Sequence, residues 1–368
     1  MSPQFEIQLI AVVVAVACAL PGVFLVLRRM AMMSDAISHS ILLGIVLAFF
    51  VTKDLTSPLL VLGAALTGVL TVSLVELLNR TRLVQEDTSI GLVFPLLFSI
   101  GVILISRHAG DVHLDTDAVL LGELAFAPFD RLIIFNTDIG PKSLYVMGSI
   151  LLLNIIFILI LYKELKLATF DKGLAAVLGF SPWIIHYGLM SLVSITAVGA
   201  FDAVGSILVV AFIIGPPVSA YLLTEKLSFM LLLSTIIGAI AAVSGYWMAH
   251  FLDTSIAGSI ASMIGITFSM VYLFAPDKGL IALARHRTKQ RIEFAVEMLL
   301  VHLLNHEGLP EAERECHRNH LYDHLHWEED FIRKILKNGE KKMWLRSEGD
   351  LLYLTEKGRA MAQESMIT

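Results

Sequence analysis

The chain has 368 residues, of which 56% are hydrophobic and 16% charged, with a net charge of −6, and its mean hydropathy is +0.76. Soluble globular proteins average about 45–50% apolar and about 25% charged residues, so this composition excludes an ordinary soluble enzyme. Two cysteines, Cys18 and Cys316, cannot build a disulfide framework, and the weakly acidic balance gives no signal for nucleic acid.

A helix crossing about 30 Å of hydrocarbon needs roughly 20 apolar residues. Such runs are expected near 6–27, 35–51, 57–78, 89–106, 145–162, 183–200, 203–223, 227–250 and 255–274. The first lacks the basic start of a signal peptide and is expected to be a retained span; Cys18 within it reads as a small core or lipid-facing residue. Gly199, Gly205, Gly215 and the pair Pro216-Pro217 weaken or kink helices, so the pattern predicts eight or nine spans. The fold class is an all-α polytopic membrane protein with a small soluble domain of mixed α and β structure. The charge distribution draws the boundary: residues 1–275 hold 12 basic and 17 acidic side chains, while residues 276–368 hold 15 and 16.

Arg28, Arg29, Arg80, Arg82, Lys163, Lys166, Lys172 and Lys226 fall in alternate connections, whereas Lys53, Arg107, Arg131 and Lys142 are offset by acids. The positive-inside rule makes the first group cytoplasmic, which also places residue 275 and the tail in the cytoplasm. Two connections are long. Residues 107–144, with His108 and His113, read as a solvated outer loop. Residues 163–182 contain FDKGLAAVLGF, too short to span, and predict a helix lying along the inner face.

An ionisable side chain inside a span is costly and marks a functional site by default. In RRMAMMSDAISHSILLGIVLAFF, Asp35 and His39 stand four positions apart, on one helical face. Carboxylate oxygen and imidazole nitrogen suit Mn²⁺, Zn²⁺ or Fe²⁺ and leave coordination positions open; two copies across a dimer axis would supply two of each. The spacing also admits a second reading, in which Asp35 caps the helix and His39 hydrogen-bonds a neighbour. Asp202 reads as a span boundary and Glu76 with Arg80 as an i,i+4 pair. No GxxxxGK[ST] loop is present, so ATP hydrolysis would need another chain.

The motif VLRRMAMMSDAISHSILLGIVLAF resembles the second span of permease subunits of manganese, zinc and iron ABC importers, the ABC-3 family. VQEDTSIGLVFPLLFSIGVILIS at 84–106, VLLGELAF at 119–126, ELKLATFDKGLAAVLGF at 164–180 and AVGSILVVAFIIGPPVSAYLLT at 203–224 extend the resemblance, in order, over residues 5–275. It implies a permease at the cytoplasmic (inner) membrane of a bacterium, paired with a second protomer, identical or paralogous. It further implies a cytoplasmic ATP-binding subunit, an extracytoplasmic metal-binding protein, and no permanently bound cofactor. Asp35 and His39 match the family's Asp and His of DA[IL]SH, which implies that they bind the transported metal. The inner segment 168–180 becomes the helix that docks in the ATPase, with Phe170 and Leu178 as apolar contacts, Ala175, Ala176 and Gly179 permitting close approach, and Asp171 as N-cap. Ser34, Ser38 and Ser40 flank the metal pair without an assigned role.

Residues 276–368 read as a separate cytoplasmic domain. KQRIEFAVEMLLVHLLNHEG, EAERECHRNHLYDHL and WEEDFIRKILKNGE predict three helices, and MWLRSEGDLLYLTEKGRAMAQ a hairpin followed by a last helix from near Thr355. This order resembles the winged helix of metal-dependent repressors related to the diphtheria toxin repressor. A helix that reads DNA carries basic residues, whereas this one begins Glu328, Glu329, Asp330, so a nucleic-acid partner is not expected. The tail holds seven of the twelve histidines; His317, His320 and His324 are expected on one helical face beside Cys316 and His326, a candidate metal sensor. Two other classes remain compatible with the chain: a gradient-driven secondary transporter and a membrane-anchored, metal-responsive regulator.

Overall fold

A backbone in hydrocarbon must satisfy its own polar groups, so the apolar runs fold as helices. The computed structural model describes residues 2–53, 57–108, 124–134, 137–325 and 327–367, and the chain divides into two units, Met1–Pro276 and Asp277–Thr368. The first unit comprises α1 (Pro3–Leu27), α2 (Met32–Thr52), α3 (Pro58–Arg80), α4 (Glu86–His108), the antiparallel hairpin β1 (Arg131–Ile134) and β2 (Thr137–Pro141), and α5 (Lys142–Ile160). It continues through the short pair α6 (Tyr162–Phe170) and α7 (Lys172–Val177), then α8 (Pro182–Val204), α9 (Ser206–Leu223), α10 (Leu227–Leu252) and α11 (Ile256–Phe274). Among the described residues, nine of these helices are long and apolar enough to cross a membrane.

The ambiguous stretch from 183 to 223 is two helices with almost no loop between them. The break falls at Gly205, whose φ of 80° is open to glycine and costly for other residues. Pro216 and Pro217 do not end α9, which runs on to Leu223 with both rings buried.

α1 is the central helix, packed against α5, α8, α9 and α10, and its second half, from Val14 to Leu25, is almost wholly buried. Pro21 lies inside it and has no N–H to give the carbonyl four residues back. That carbonyl belongs to Ala17, and the buried side chain of Asn154 on α5 donates to it at 2.8 Å. The Asn154 amide also donates to Thr196 Oγ1 on α8 at 3.0 Å, and the Thr196 hydroxyl lies 2.8 Å from the Leu192 carbonyl. One polar node therefore repairs the proline defect and joins three helices. The Ile213 carbonyl of α9, likewise without its intrahelical donor because of Pro217, lies against the Cα of Gly22, where any Cβ would collide.

α2 packs on α3 and α4. Its backbone meets that of α3 at Gly44 and Gly63: a Cβ on Gly44 would collide with the Gly63 carbonyl and the Thr67 hydroxyl, and one on Gly63 with the Gly44 carbonyl. Thr71 of α3 adds a hydroxyl bond to Ser40 of α2 at 2.6 Å. Without a hydrophobic drive between helices in lipid, such close contacts and shared hydroxyls hold spans together.

Within residues 107–144 the structure differs from a plain solvated loop. Arg131 of β1 pairs at 2.9 Å with Glu6, a buried acid in the first turn of α1, and at 2.9 Å with Asp138 of β2. His113 and most of VLLGELAF lie outside the described residues, as does the side chain of His108.

The second unit comprises α12 (Leu280–His306), α13 (Ala312–Glu315), α14 (Arg318–Leu325), α15 (Glu329–Lys341), the antiparallel hairpin β3 (Leu345–Glu348) and β4 (Leu351–Leu354), and α16 (Glu356–Ile367). Its own core gathers Val296, Leu299 and Leu303 of α12 with Ile332, Ile335, Leu345 and Leu352. Arg359 makes a forked bond to Glu307, down to 2.6 Å, and holds that carboxyl below its ordinary range. The single helix expected over EAERECHRNHLYDHL is broken into α13 and α14. The cause is tertiary: the Cys316 carbonyl accepts from Leu352 N–H at 3.0 Å, Arg318 N–H donates to Asp350 at 2.8 Å, and His317 bridges to Leu351. Pairing with β4 takes the backbone groups that helix would have used.

The Asn154 node yields a test by double substitution. Asn154→Leu should destabilise the detergent-solubilised protein by about 1–2 kcal/mol, read as a lower midpoint of thermal unfolding. Adding Pro21→Ala, which restores an intrahelical donor for Ala17, should recover part of that loss; additive losses would refute the repair. Gly44→Val should cost at least as much, about 1–3 kcal/mol, by overpacking.

Candidate functional site

Asp35 and His39 lie in the first two turns of α2. His39 Nε2 is 3.3 Å from an Asp35 carboxylate oxygen, and the two side chains are 36% and 34% exposed. Around them the helix is buried on its other faces, at Met33, Ser34, Ala36, Ile37 and Ser38. The imidazole faces two rings of α4, Phe94 at 5.8 Å and Phe98 at 6.2 Å between centroids. The spacing thus produces one oxygen and one nitrogen donor side by side, on an accessible strip beside the packed face of the span. Such a strip can hold a divalent cation through two ligands while leaving the rest of its coordination sphere to other groups.

The three serines are committed elsewhere. Ser34, Ser38 and Ser40 are buried, and their hydroxyls donate to the carbonyls of Ala31, Ser34 and Ile37 at 2.9, 2.8 and 3.1 Å. Bonded back onto the helix that carries them, they shape its first turns rather than adding donors to the pair.

Beside the same end of α2 lies a cavity of about 480 Å³, lined by Arg28, Arg29, Glu76, Arg80, Lys172 and His186 among others. Residues from the ends of α1 and α3 and from α7 and the start of α8 meet here, so basic residues of three connections share one end of the unit. Arg28 Nε donates to Thr169 Oγ1 on α6 at 3.1 Å, and its Nη1 lies 3.4 Å from His186 Nδ1. Its remaining Nη2 is buried with no hydrogen-bond partner among the described residues. Burial lowers the Arg28 guanidinium to about 10, which leaves it charged at neutral pH. On the far side of His186, Nε2 is 3.7 Å from Glu76, which pairs with Arg80 at 2.9 Å. The expected Glu76–Arg80 pair is therefore one end of a longer chain of contacts, Thr169–Arg28–His186–Glu76–Arg80. Sequence reasoning passed over His186, although an imidazole one turn inside an apolar run carries the same signal that exposed Asp35 and His39.

The inner segment is two short helices separated by Asp171, which has extended backbone and accepts from Leu174 N–H at 2.9 Å. Phe170, Leu174, Val177 and Leu178 are exposed, at 60%, 46%, 84% and 56%. Ala176 and Gly179 are also exposed, Gly179 with φ of 86°, but Ala175 is fully buried. Ala175 is therefore not available for approach by another chain: the six-residue turn presents its neighbours outward and seats this methyl inward. Asp202 is exposed at the C-terminal end of α8.

In the second unit the helix expected to carry the histidine face does not run through His317. His317 lies between α13 and α14 and its Nδ1 accepts from Asn319 N–H at 3.2 Å, His326 lies outside the described residues, and the side chain of His324 is likewise not described. His320 instead contacts Glu315 at 2.6 Å. Glu328, Glu329 and Asp330 are exposed at the start of α15, where they would repel phosphate.

Residues 5–275 match the ABC 3 transport family. The chain is 47% identical over 358 residues to the zinc transport system membrane protein TroD of Treponema pallidum (strain Nichols), covering 97% of each chain. It is 49% identical over 280 residues to the manganese transport system membrane protein MntD of Bacillus subtilis (strain 168), covering 76% of this chain and 95% of that one. Among solved structures it is similar to PsaBC from Streptococcus pneumoniae in complex with Fab, with a TM-score of 0.64 and 27% identity over 77% of this chain and 96% of that chain. The nine apolar helices and a family match that runs through all of them lead to one conclusion: this chain is a polytopic membrane protein of the ABC 3 transport family.

Proposed function

We propose that this chain is the permease subunit of an ATP-driven importer of a divalent transition metal, Mn²⁺ or Zn²⁺ first and Fe²⁺ next, with Asp35 and His39 as transient ligands along the path. The observation that carries the reading is the pair itself: two donors 3.3 Å apart, part-exposed on a membrane helix, in a family whose relatives bear the names of zinc and manganese systems. Two ligands alone hold a divalent ion weakly, which suits transport, since a saturated cage would not release its ion. A second permease protomer, identical or paralogous, brings the complementary pair. An extracytoplasmic metal-binding protein delivers the ion, and a cytoplasmic ATPase drives the change between outward and inward access.

The exposed apolar side chains of Phe170, Leu174, Val177 and Leu178 support docking of the ATPase at this turn, since apolar groups grouped on an otherwise charged face mark a contact surface. Movement there has a direct route to the metal pair. Thr169 is bonded to Arg28, and only a short turn separates Arg28 from α2. The basic residues around this end support a cytoplasmic location for it, and the same charge rule with an odd number of spans supports a cytoplasmic second unit. Its order of helices, a hairpin and a last helix supports a winged-helix fold used for dimerisation or contact with the ATPase; the acids opening α15 weigh against DNA as its ligand.

Three measurements test the reading. Asp35→Ala or His39→Ala should reduce uptake of radioactive manganese or zinc by at least about 100-fold, while the variant still co-purifies with its ATPase; unchanged uptake in either variant would refute the site. Thr169→Val should leave ATP hydrolysis by the assembled complex intact but lower the metal moved per ATP several-fold, and equal coupling would remove Arg28–Thr169 from the route. Uptake that persists without any ATPase would assign the chain to gradient-driven carriers instead.

A further inference from the structure

The second unit brings together a donor set that the linear pattern of its histidines did not suggest. His302 and His306 are four residues apart in the last turns of α12, with ring centroids 4.7 Å apart. Glu315 closes α13, and one donor atom from each of His302, His306 and Glu315 lies within 4.8 Å of the others. All three residues are part-buried. Nδ1 of His306 is buried and has no hydrogen-bond partner among the described residues. On the other side, His320 of α14 sits 2.6 Å from the Glu315 carboxylate, and its ring stacks parallel to that of His302 at 6.2 Å. Imidazoles from two helices and a carboxylate from the segment between them thus converge from three directions.

From this convergence we infer that the second unit contains a metal site of its own, formed by His302, His306 and Glu315 with His320 as fourth ligand, which takes Zn²⁺ or a similar late first-row divalent ion. Two observations favour an ion over a solvated cluster. One is the unpartnered buried nitrogen of His306, which a hydrogen-bonded polar cluster would not leave idle. The other is composition: three nitrogens and one oxygen match the tetrahedral preference of zinc, and nitrogen-rich sets bind zinc more strongly than manganese. Donors about 2.1 Å from a tetrahedral ion stand about 3.4 Å apart, against at most 4.8 Å among His302, His306 and Glu315, so closing these three needs only side-chain adjustments of about an ångström. Binding would tie the last turn of α12 to the α13–α14 segment, across the bend that begins at Glu307. This site is distinct from Asp35 and His39, and the inference does not depend on their role.

The test uses the full chain in detergent, carrying Asp35→Ala and His39→Ala so that the other pair is silent. Zinc titration should show one ion per chain. Adding His302→Ala and His306→Ala should weaken binding at least about 100-fold, and the single change His306→Gln, which keeps the helix and most of the volume, should weaken it at least about tenfold. Unchanged affinity in the His306→Gln variant, or no zinc bound by the parent chain, would overturn the site. X-ray absorption at the zinc edge on the parent chain needs no tail variant to fold: a shell of nitrogen and oxygen near 2.0–2.1 Å is expected, whereas a sulfur scatterer near 2.3 Å would assign the ion to Cys316 and refute this ligand set.

Discussion

The position of α2 rests on a contact between two backbones. In lipid, apolar side chains gain little by leaving the surrounding hydrocarbon for one another, so helices are located by how closely they can approach and by the few hydrogen bonds they share. At Gly44 and Gly63 the carbonyl of each helix occupies the space a Cβ would need on the other, and Ser40 and Thr71 are bonded a turn away. This clamp fixes which face of α2 is covered. Ser34, Ser38 and Ser40 go inward, and the strip carrying Asp35 and His39 is left facing Phe94 and Phe98 of α4.

The second constraint is that a backbone polar group left without its partner in the core of the unit is costly. Pro21 and Pro217 each leave a carbonyl without its helical donor, and the structure deals with the two differently. Asn154 replaces the lost donor at Ala17, while the Ile213 carbonyl is accommodated against Gly22. Both contacts involve α1, so the helix that leads directly into Arg28 is held on several sides. That is the arrangement needed if a displacement of the α6–α7 segment is to reach α2 without dissipating in a loose helix.

Much of the architecture was legible because a bilayer imposes a simple code of length and apolarity. The nine runs read from the sequence overlap the nine helices. The Asp35–His39 pair was legible too, because four residues on a helix is a short-range spacing that tertiary structure does not alter. What escaped was whatever depended on residues far apart in the chain. His186 meets Arg28 across 158 positions, and nothing local to either announces the other. In the second unit, helical spacing alone grouped His317, His320 and His324, but pairing of residues 316–318 with β4 breaks that helix and redirects His320 toward Glu315 and His302.

The sequence by itself therefore determined the number of spans to within one, the division between an apolar unit and a charged one, and the adjacency of the two proposed metal ligands, since each follows from local composition or from the period of a helix. Only the tertiary structure decided which serines are spent on backbone carbonyls, that Ala175 turns inward while Phe170 and Leu178 stay exposed, and which histidines of the second unit converge. Those outcomes depend on side chains and backbone groups competing for partners in three dimensions, and a hydrogen bond to a distant strand or helix can outweigh the preference of the segment that supplies it.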